Sequence, residues 1–597
     1  MLLVVLCICF STPASTHLVA DLAEDLAELL DKTDAVSTIR YILGGKTSSL
    51  GDENFSLKCS GCETIAKALR TLVKVNLLSD DRIVQTIAST CNLLNIQDKR
   101  VCSDITNEFR DEFLTVAHRL NFNPKWLCFM IIGPSCGQPP RNFTSWNVTI
   151  PGKKPKPTPL VRPNDGLPTL KVVQLSDVHI DLQYRPGSEK DCDEPVCCRE
   201  GKGAGDKAAG FWGSLNAQCD LPLWTFENAL QFIREKIKPD VIFWTGDIPA
   251  HDDWNQTRED QLHHIQITAD LLSHYFPDTT VYPSLGNHES APVDSFPPPG
   301  ITTEGLSNSW LNQFVQKVWS RWLPPESLPT IGHAGYYSVQ YSERLRIISL
   351  NTQYCDRLNF WLYLNNTDPG NMLGWLVEEL SSAEERGVNV IILGHIPTGR
   401  VDCLEAFSWN YYKIIDRFEG TVVGQYMAHT HQDHFSLMYS EEPDHHPTGF
   451  QFIAPSLTTY TNLRPAIRVY TLDGDHLNST YRPLNSETWL LDLDRANKKN
   501  ETVWELEYDT VSAYNLTWLT PHTMHQLYEK FRGDRNFFDR TFWKFKNHVQ
   551  QPDEGCDDEC YKNNLCEIIT GRTGDPEICK DISLEAQRGF FLRNKMC

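Results

Sequence analysis

Six short apolar runs, each closing on a polar cluster, constrain this chain more than any other feature: "KVVQLSDVHI", "DVIFWTGDIPAH", "TVYPSLGNHES", "LRIISLNTQ", "NVIILGHIP" and "VVGQYMAHTH". Runs of this length, rich in β-branched residues and nearly continuous in hydrophobicity, read as strands buried on both faces. Helix-like stretches such as "LWTFENALQFIREKI" and "MLGWLVEELSSAEERG" lie between several of them. Strands alternating with helices predict an α/β domain over residues 170–480. In such sheets ligands gather beyond the carboxyl ends of the strands. Every unusual polar cluster of the chain stands at such an end.

Collected in order, the strand-end residues are Asp177 and His179, Asp247, Asn287 and His288, His395, and His429 and His431. In "QYMAHTHQDHF" the last pair follows an apolar run directly. On an extended strand residues i and i+2 point to the same face, so both imidazoles are expected to lean toward one point. A lone H-x-H is more often polar decoration than a ligand pair. Here two carboxylates, an amide and several imidazoles form a mixed nitrogen and oxygen set, which suits zinc rather than calcium. His434, further along, reads as a structural histidine.

The chain is long enough for several domains. Residues 1–20, "MLLVVLCICFSTPASTHLVA", resemble a secretory signal peptide, although no Lys or Arg precedes the apolar core. No later segment has the length of a membrane span, and the polar end "FFLRNKMC" does not suit a glycosylphosphatidylinositol signal. Of 19 cysteines, Cys7 and Cys9 leave with the leader, and the rest stand in tight groups typical of oxidising compartments. An odd number remains, with terminal Cys597 the candidate free thiol. Sequons at Asn54, Asn142, Asn147, Asn255, Asn365, Asn478, Asn500 and Asn515 predict a glycosylated surface. Together these features predict a soluble, exported protein, lysosomal or secreted. The net charge of −22 argues against nucleic acid as partner. An acidic chain also loses self-repulsion as pH falls, which suits an acidic compartment.

After a segment at 21–54 with helical spacing comes a module over 55–137 carrying Cys59, Cys62, Cys91, Cys102, Cys128 and Cys136. It is mildly basic, in contrast to the acidic remainder. Spacing alone leaves the pairing open. The order C-x-x-C, two inner cysteines, then a closing pair resembles the saposin family of small all-α modules that cradle lipid. That resemblance implies Cys59–Cys136, Cys62–Cys128 and Cys91–Cys102, and an N-terminal all-α domain. Residues 138–169, "GQPPRNFTSWNVTIPGKKPKPTPLVRPNDGLP" in the main, read as an extended proline-rich connector. Residues 481–597, rich in Trp and Tyr, read as a helical C-terminal subdomain closing with Cys556, Cys560, Cys566, Cys579 and Cys597.

D-x-H, G-D, G-N-H-E, G-H and H-x-H, in this order, resemble the binuclear metallophosphoesterase superfamily. The resemblance implies a central β-sandwich flanked by helices. It also implies two divalent cations, expected to be zinc. One is held by Asp177, His179 and His431, the other by Asn287, His395 and His429, with Asp247 bridging both. Such a pair, about 3.5–4 Å apart, activates water and clamps an in-line phosphoryl displacement. His288 and His251 are the candidate proton donors to the leaving group, with orientation of the phosphate as their plainer role. The superfamily's last motif is usually G-H-x-H. Ala428 replaces that glycine here, which an ordinary negative φ permits.

"GDIPAHD", "GNHES", "GHIPTG", "FSWNYYKI" and "SLTTYTNLRPAIRVY" are similar to the acid sphingomyelinase family, from the saposin-like module nearly to the last cysteine. This likeness implies a phospholipase C-type phosphodiesterase that hydrolyses sphingomyelin to ceramide and phosphocholine. It further implies disulfides Cys192–Cys197, Cys198–Cys219, Cys355–Cys403, Cys556–Cys560 and Cys566–Cys579. The saposin-like module is expected to hold the protein, as a monomer, on anionic membranes. Tyr460 is a candidate face for the choline group. The competing readings are a related phosphodiesterase for nucleotides or other soluble esters, which lacks the saposin module in relatives, and a lipid-binding protein with a degenerate metal site.

Overall fold

The computed structural model describes residues 80–93, 97–120, 146–548 except 157, and 555–582 except 576, with isolated positions at 63, 67, 70, 124 and 125. The chain forms two compact units, Met1–Ser145 with Asp253–Asn255, and Trp146–Asp252 with Gln256–Cys597. In the smaller unit three helices are described, Asp80–Leu93, Lys99–Glu108 and Arg110–Arg119, with a Cys91–Cys102 disulfide joining the first two. Asp98 caps the second by accepting from the Val101 N–H at 3.1 Å. Cys59, Cys62, Cys128, Cys136, Cys597, the leader, the 21–54 segment and the sequons Asn54 and Asn142 lie outside the described residues.

The larger unit carries fourteen described strands: β1 (Thr169–Leu175), β2 (Ile180–Asp181), β3 (Leu221–Pro222), β4 (Val241–Trp244), β5 (Thr280–Pro283), β6 (Tyr337–Ser342), β7 (Leu345–Ser349), β8 (Asn389–Leu393), β9 (Val422–Met427), β10 (His434–Tyr439), β11 (Pro447–Ile453), β12 (Ala466–Asp473), β13 (Pro483–Leu491) and β14 (Trp504–Asp509). They build one sheet of order β14-β13-β12-β1-β4-β5 and a second of order β10-β11-β9-β8-β7-β6. The apolar runs of the sequence occupy the inner, parallel positions. β1 pairs parallel with β4 and β4 with β5, while β7, β8 and β9 run parallel in the second sheet. β4, β7 and β9 are buried along their whole length, as strands covered on both faces must be.

The sheets face each other across an aromatic layer. Tyr426 of β9 lies 5.1 Å from Phe243 of β4 and 4.8 Å from Tyr470 of β12, ring centre to ring centre. Gln174 of β1 donates to the Met427 carbonyl at 3.0 Å, and the Tyr470 hydroxyl donates to Gln174 at 2.8 Å, so a polar link also crosses the layer. Helices cover the outside, among them Arg258–Tyr275, opened by a Thr257/Asp260 capping box, and Met372–Arg386, closed by Gly387 in the left-handed region. This is the helix-flanked sandwich expected from the motifs.

Two segments differ in detail from the sequence reading. Residues 483–491 and 504–509 precede the C-terminal helices as strands and extend the first sheet to its edge. Their alternating burial is that of a half-covered antiparallel edge, a weaker signal than a central run. Residues 146–156 of the proline-rich segment are pinned to the larger unit. Asn410 takes the Val148 N–H at 2.8 Å and donates to the Trp146 carbonyl at 2.8 Å, and Lys154 pairs with Asp416 at 2.7 Å. The described disulfides beyond Cys91–Cys102 are Cys192–Cys197, Cys198–Cys219, Cys355–Cys403, Cys556–Cys560 and Cys566–Cys579. Six sequon asparagines are described, Asn147, Asn255, Asn365, Asn478, Asn500 and Asn515, and all are exposed.

Candidate metal centre

Loops leaving β1, β4 and β5 in one sheet and β8 and β9 in the other meet at the same end of the sandwich. Asp177 and His179 lie just beyond β1, Asp247 beyond β4, Asn287 and His288 in a short 3-10 turn beyond β5, His395 beyond β8, and His429 and His431 beyond β9. The first two loops are sewn together: the Asp177 N–H donates to Gly246 at 3.0 Å and the Val178 N–H to Asp247 at 2.8 Å. Glycines 246 and 286 let the β4 and β5 loops come equally close. A β-carbon on either would overlap the other loop's backbone, and on Gly286 also the Asp247 carboxylate.

Donor atoms of Asp177, His179 and His431 all lie within 4.8 Å of one another, as do those of Asp247, His395 and His429. Asp247 reaches both groups: its Oδ2 is 3.0 Å from His395 Nε2 and 3.6 Å from His179 Nε2. Asn287 Oδ1 is 3.0 Å from His395 Nε2 and 3.0 Å from His429 Nδ1. The seven side chains thus converge as two sets around one shared carboxylate. A third triad, His179, His251 and His288, reuses His179 and is part of the same cluster.

His429 and His431 do not lie on a strand. β9 ends at Met427, and both histidines have left-handed backbones, φ 71° and 61°. Their convergence comes from a tight loop rather than from the two-residue period of an extended chain. Asp177, His179 and Asp247 share this conformation, with φ of 48°, 41° and 58°. Such conformations cost energy outside glycine and cluster at functional sites. Ala428 is not among the positive-φ residues, so its methyl group is accommodated.

The donor set fits divalent cations. His179 Nδ1 lies 2.7 Å from the Pro249 carbonyl and His395 Nδ1 2.7 Å from the Thr245 carbonyl. A proton on each Nδ1 leaves the Nε2 lone pair for the centre. His179 Nε2 and His431 Nδ1 are buried without a hydrogen-bond partner, an arrangement that is costly unless a cation completes it.

Four carboxylates that the sequence reading did not single out hold the donors in place. Glu289 of "GNHE" accepts the N–H groups of Asp247 at 3.1 Å and Ile248 at 2.7 Å, and that of Gly286 as well. Asp294 accepts from Asn287 Nδ2 at 2.9 Å and so turns the amide oxygen to the centre. Asp402 stands 3.7 Å from His429 Nε2. Asp220 binds the His251 N–H at 2.8 Å and its Nδ1 at 2.8 Å. Asp220 and Asp402 each neighbour a disulfide cysteine, Cys219 and Cys403, which pins them. The sequence shows these cysteines, but their bearing on two imidazoles exists only in the fold.

His251 is sandwiched between His179, ring centres 3.9 Å apart, and Tyr460, 4.0 Å apart and nearly parallel at 11°. Its Nε2 is buried and unpartnered, and the His288 ring lies 4.8 Å away. One face of Tyr460 is therefore taken by His251, and its hydroxyl donates to the Pro195 carbonyl at 3.1 Å. His434 lies apart from the donors, its Nε2 2.9 Å from the Thr430 hydroxyl, in a structural role.

Without cations, burial pushes the Asp177 carboxyl up to about 7, with His395 opposing and Asp247 adding to the rise. Burial raises Asp247 too, but His395 and His288 outweigh it and hold that carboxyl well below its ordinary value. A raised carboxyl stabilises the metal-free fold below its unfolded value of 3.8 and loses that contribution as pH rises through about 7. Binding a cation must displace the Asp177 proton and also that of His395, which burial opposes but Asp247 and Asp177 raise to about 9, so apparent metal affinity is expected to fall steeply as pH drops. Zinc titration against a chelator at pH 5.5, 6.5 and 7.5 checks this; affinity flat across the series contradicts it.

Residues 170–433 match the Calcineurin-like phosphoesterase family, and residues 447–573 match the Acid sphingomyelin phosphodiesterase C-terminal region. The sphingomyelin phosphodiesterase of Homo sapiens is 40% identical over 546 residues, spanning 89% of this chain and 85% of that protein. That of Bos taurus is 38% identical over 540 residues, with 89% and 85% covered. Sphingomyelin phosphodiesterase 2 of Caenorhabditis elegans is 36% identical over 560 residues, 89% of each chain.

Proposed function

The chain belongs to the sphingomyelin phosphodiesterase family, and from that premise we infer how its site works: it is a phosphodiesterase that hydrolyses sphingomyelin to ceramide and phosphocholine. The observation that carries this reading is the convergence of six donors around one shared carboxylate, Asp247, all from five strand ends, in a chain 40% identical to a sphingomyelin phosphodiesterase. The family's chemistry needs divalent cations. We assign Asp177, His179 and His431 to one and Asn287, His395 and His429 to the other, with Asp247 between them, and zinc as the ion because imidazole and carboxylate dominate. When bound, the pair supplies an acidified water and neutralises charge on the phosphoryl oxygens.

The protein's own residues do the rest. His251 and His288 face the cluster, and one of them delivers a proton to the ceramide oxygen as its bond to phosphorus breaks, while water adds to phosphorus and sheds a proton to solvent, from which the histidine is reprotonated. Asp220 holds the His251 proton on Nδ1 and so fixes the direction of Nε2. Tyr460, half-buried beside His251, is the aromatic residue we assign to the choline group. Phosphorus NMR of sphingomyelin treated with the purified protein tests the reaction: a phosphocholine resonance replacing that of sphingomyelin supports it, and a ceramide 1-phosphate resonance, the mark of choline release, or no turnover with zinc present, overturns it.

The module at 55–137 supplies membrane contact in this reading. It carries a net charge of +2 within a chain of −22. At about 1 kcal/mol per charge on an anionic surface, that is worth roughly 30-fold in partitioning. Deleting residues 1–137 is therefore expected to cut turnover of sphingomyelin in anionic vesicles by tenfold or more, while a soluble chromogenic phosphodiester is spared; equal losses contradict the membrane role. Exposed sequon asparagines and the described disulfides support export to the lysosome or the cell exterior.

A further inference from the structure

The loop carrying His429 and His431 is held at both ends by a single row of the opposite sheet. Gln174, Arg468, Thr488 and Tyr508 lie directly across from one another on β1, β12, β13 and β14. At the start of the loop Gln174 donates to the Met427 carbonyl at 3.0 Å. At its end lies Asp433, 3% exposed. The Asp433 carboxylate accepts from Thr488 Oγ1 at 2.6 Å and from the Tyr508 hydroxyl at 2.8 Å, and pairs with Arg468. The Asp433 N–H donates to the Lys546 carbonyl at 3.1 Å. Gln432 beside it donates to Asn547 at 3.0 Å.

This arrangement joins what the topology separates. His431 follows the second sheet, whereas Asp177 and His179, its fellow donors, follow β1 of the first. The two left-handed residues of the loop persist only where the surroundings hold them. We propose that Asp433 is a positioning residue for the metal centre: bound to Thr488, Tyr508 and Arg468 of the first sheet, its carboxylate sets the reach of His431 toward Asp177 and His179. The affinity of that one cation site then depends on a row of residues that touches neither cation nor substrate. The inference rests on the two-cation reading above.

The test titrates zinc alone into the metal-stripped full chain and compares wild type with Thr488→Val/Tyr508→Phe, which removes two donors to Asp433 and keeps the Arg468 pair. One of the two binding events is expected to weaken about 10–100-fold and the other to hold. Thr488→Ser, which keeps a hydroxyl, is expected to bind as wild type does. Asp433→Asn should give the same selective loss, but it leaves Arg468 buried without its carboxylate, so the double variant is the deciding one. Unchanged affinity at both sites in a folded double variant overturns the proposal. So does a loss equal at both sites that follows the thermal midpoint. Wild type that binds no zinc would instead overturn the two-cation reading itself, which keeps the two failures apart.

Discussion

Asp247→Asn is expected to lower kcat/KM on sphingomyelin by about 10³-fold or more, equivalent to about 4 kcal/mol of transition-state stabilisation. The side chain is 1% exposed and lies within 3.6 Å of imidazoles from both donor groups. Its second oxygen accepts the His288 N–H at 3.0 Å. Asparagine keeps the volume, but it carries no charge and offers a single oxygen to serve both sides. The loss should appear first as metal: fewer than two ions retained per chain after dialysis. Full turnover with two ions bound would rule out a shared-carboxylate centre. The fold should survive, because Glu289 secures the same loop through backbone donors rather than through the Asp247 side chain.

The second large effect belongs to the two imidazoles that hold no cation. His251→Ala and His288→Ala are each expected to cost about 10²–10⁴-fold in kcat, the range of general acid catalysis, while both cations stay bound. Geometry favours His251 as the better oriented of the pair. Asp220 fixes its Nδ1 at 2.8 Å, the Thr458 hydroxyl braces that carboxylate at 2.9 Å, and rings cover both its faces. A phosphodiester whose leaving group departs without a proton separates the roles. If the histidines donate protons, most of the loss should vanish on that substrate. Equal losses on both substrates would mean that they only orient the phosphate.

The apolar runs announced the inner strands because strands buried on both faces leave nearly unbroken hydrophobicity. The donors were legible for a related reason: parallel strands bring their carboxyl ends together, so residues distant in sequence, such as Asp177 and His395, share one place. What the sequence does not reveal depends on contacts made only in the folded chain. Asp433 lies two residues after a donor, yet its role comes from Thr488 and Tyr508, dozens of residues further on. Asp220 and Asp402 look like ordinary loop acids until disulfides bring them behind His251 and His429. The H-x-H pair converges for a different reason from the one its spacing suggests: an extended strand predicts one shared face, and the loop reaches the same convergence through left-handed turns at both histidines. β13 and β14 were hidden among Trp- and Tyr-rich residues because an edge strand exposes one face and carries no continuous apolar run.

Anomalous scattering at the zinc edge from crystals of the zinc-loaded protein tests the account most directly. Two peaks about 3.5–4 Å apart are expected, with Asp247 between them, His431 on one side and His395 and His429 on the other. A lone peak at full zinc occupancy, or a pair away from Asp247, would contradict it.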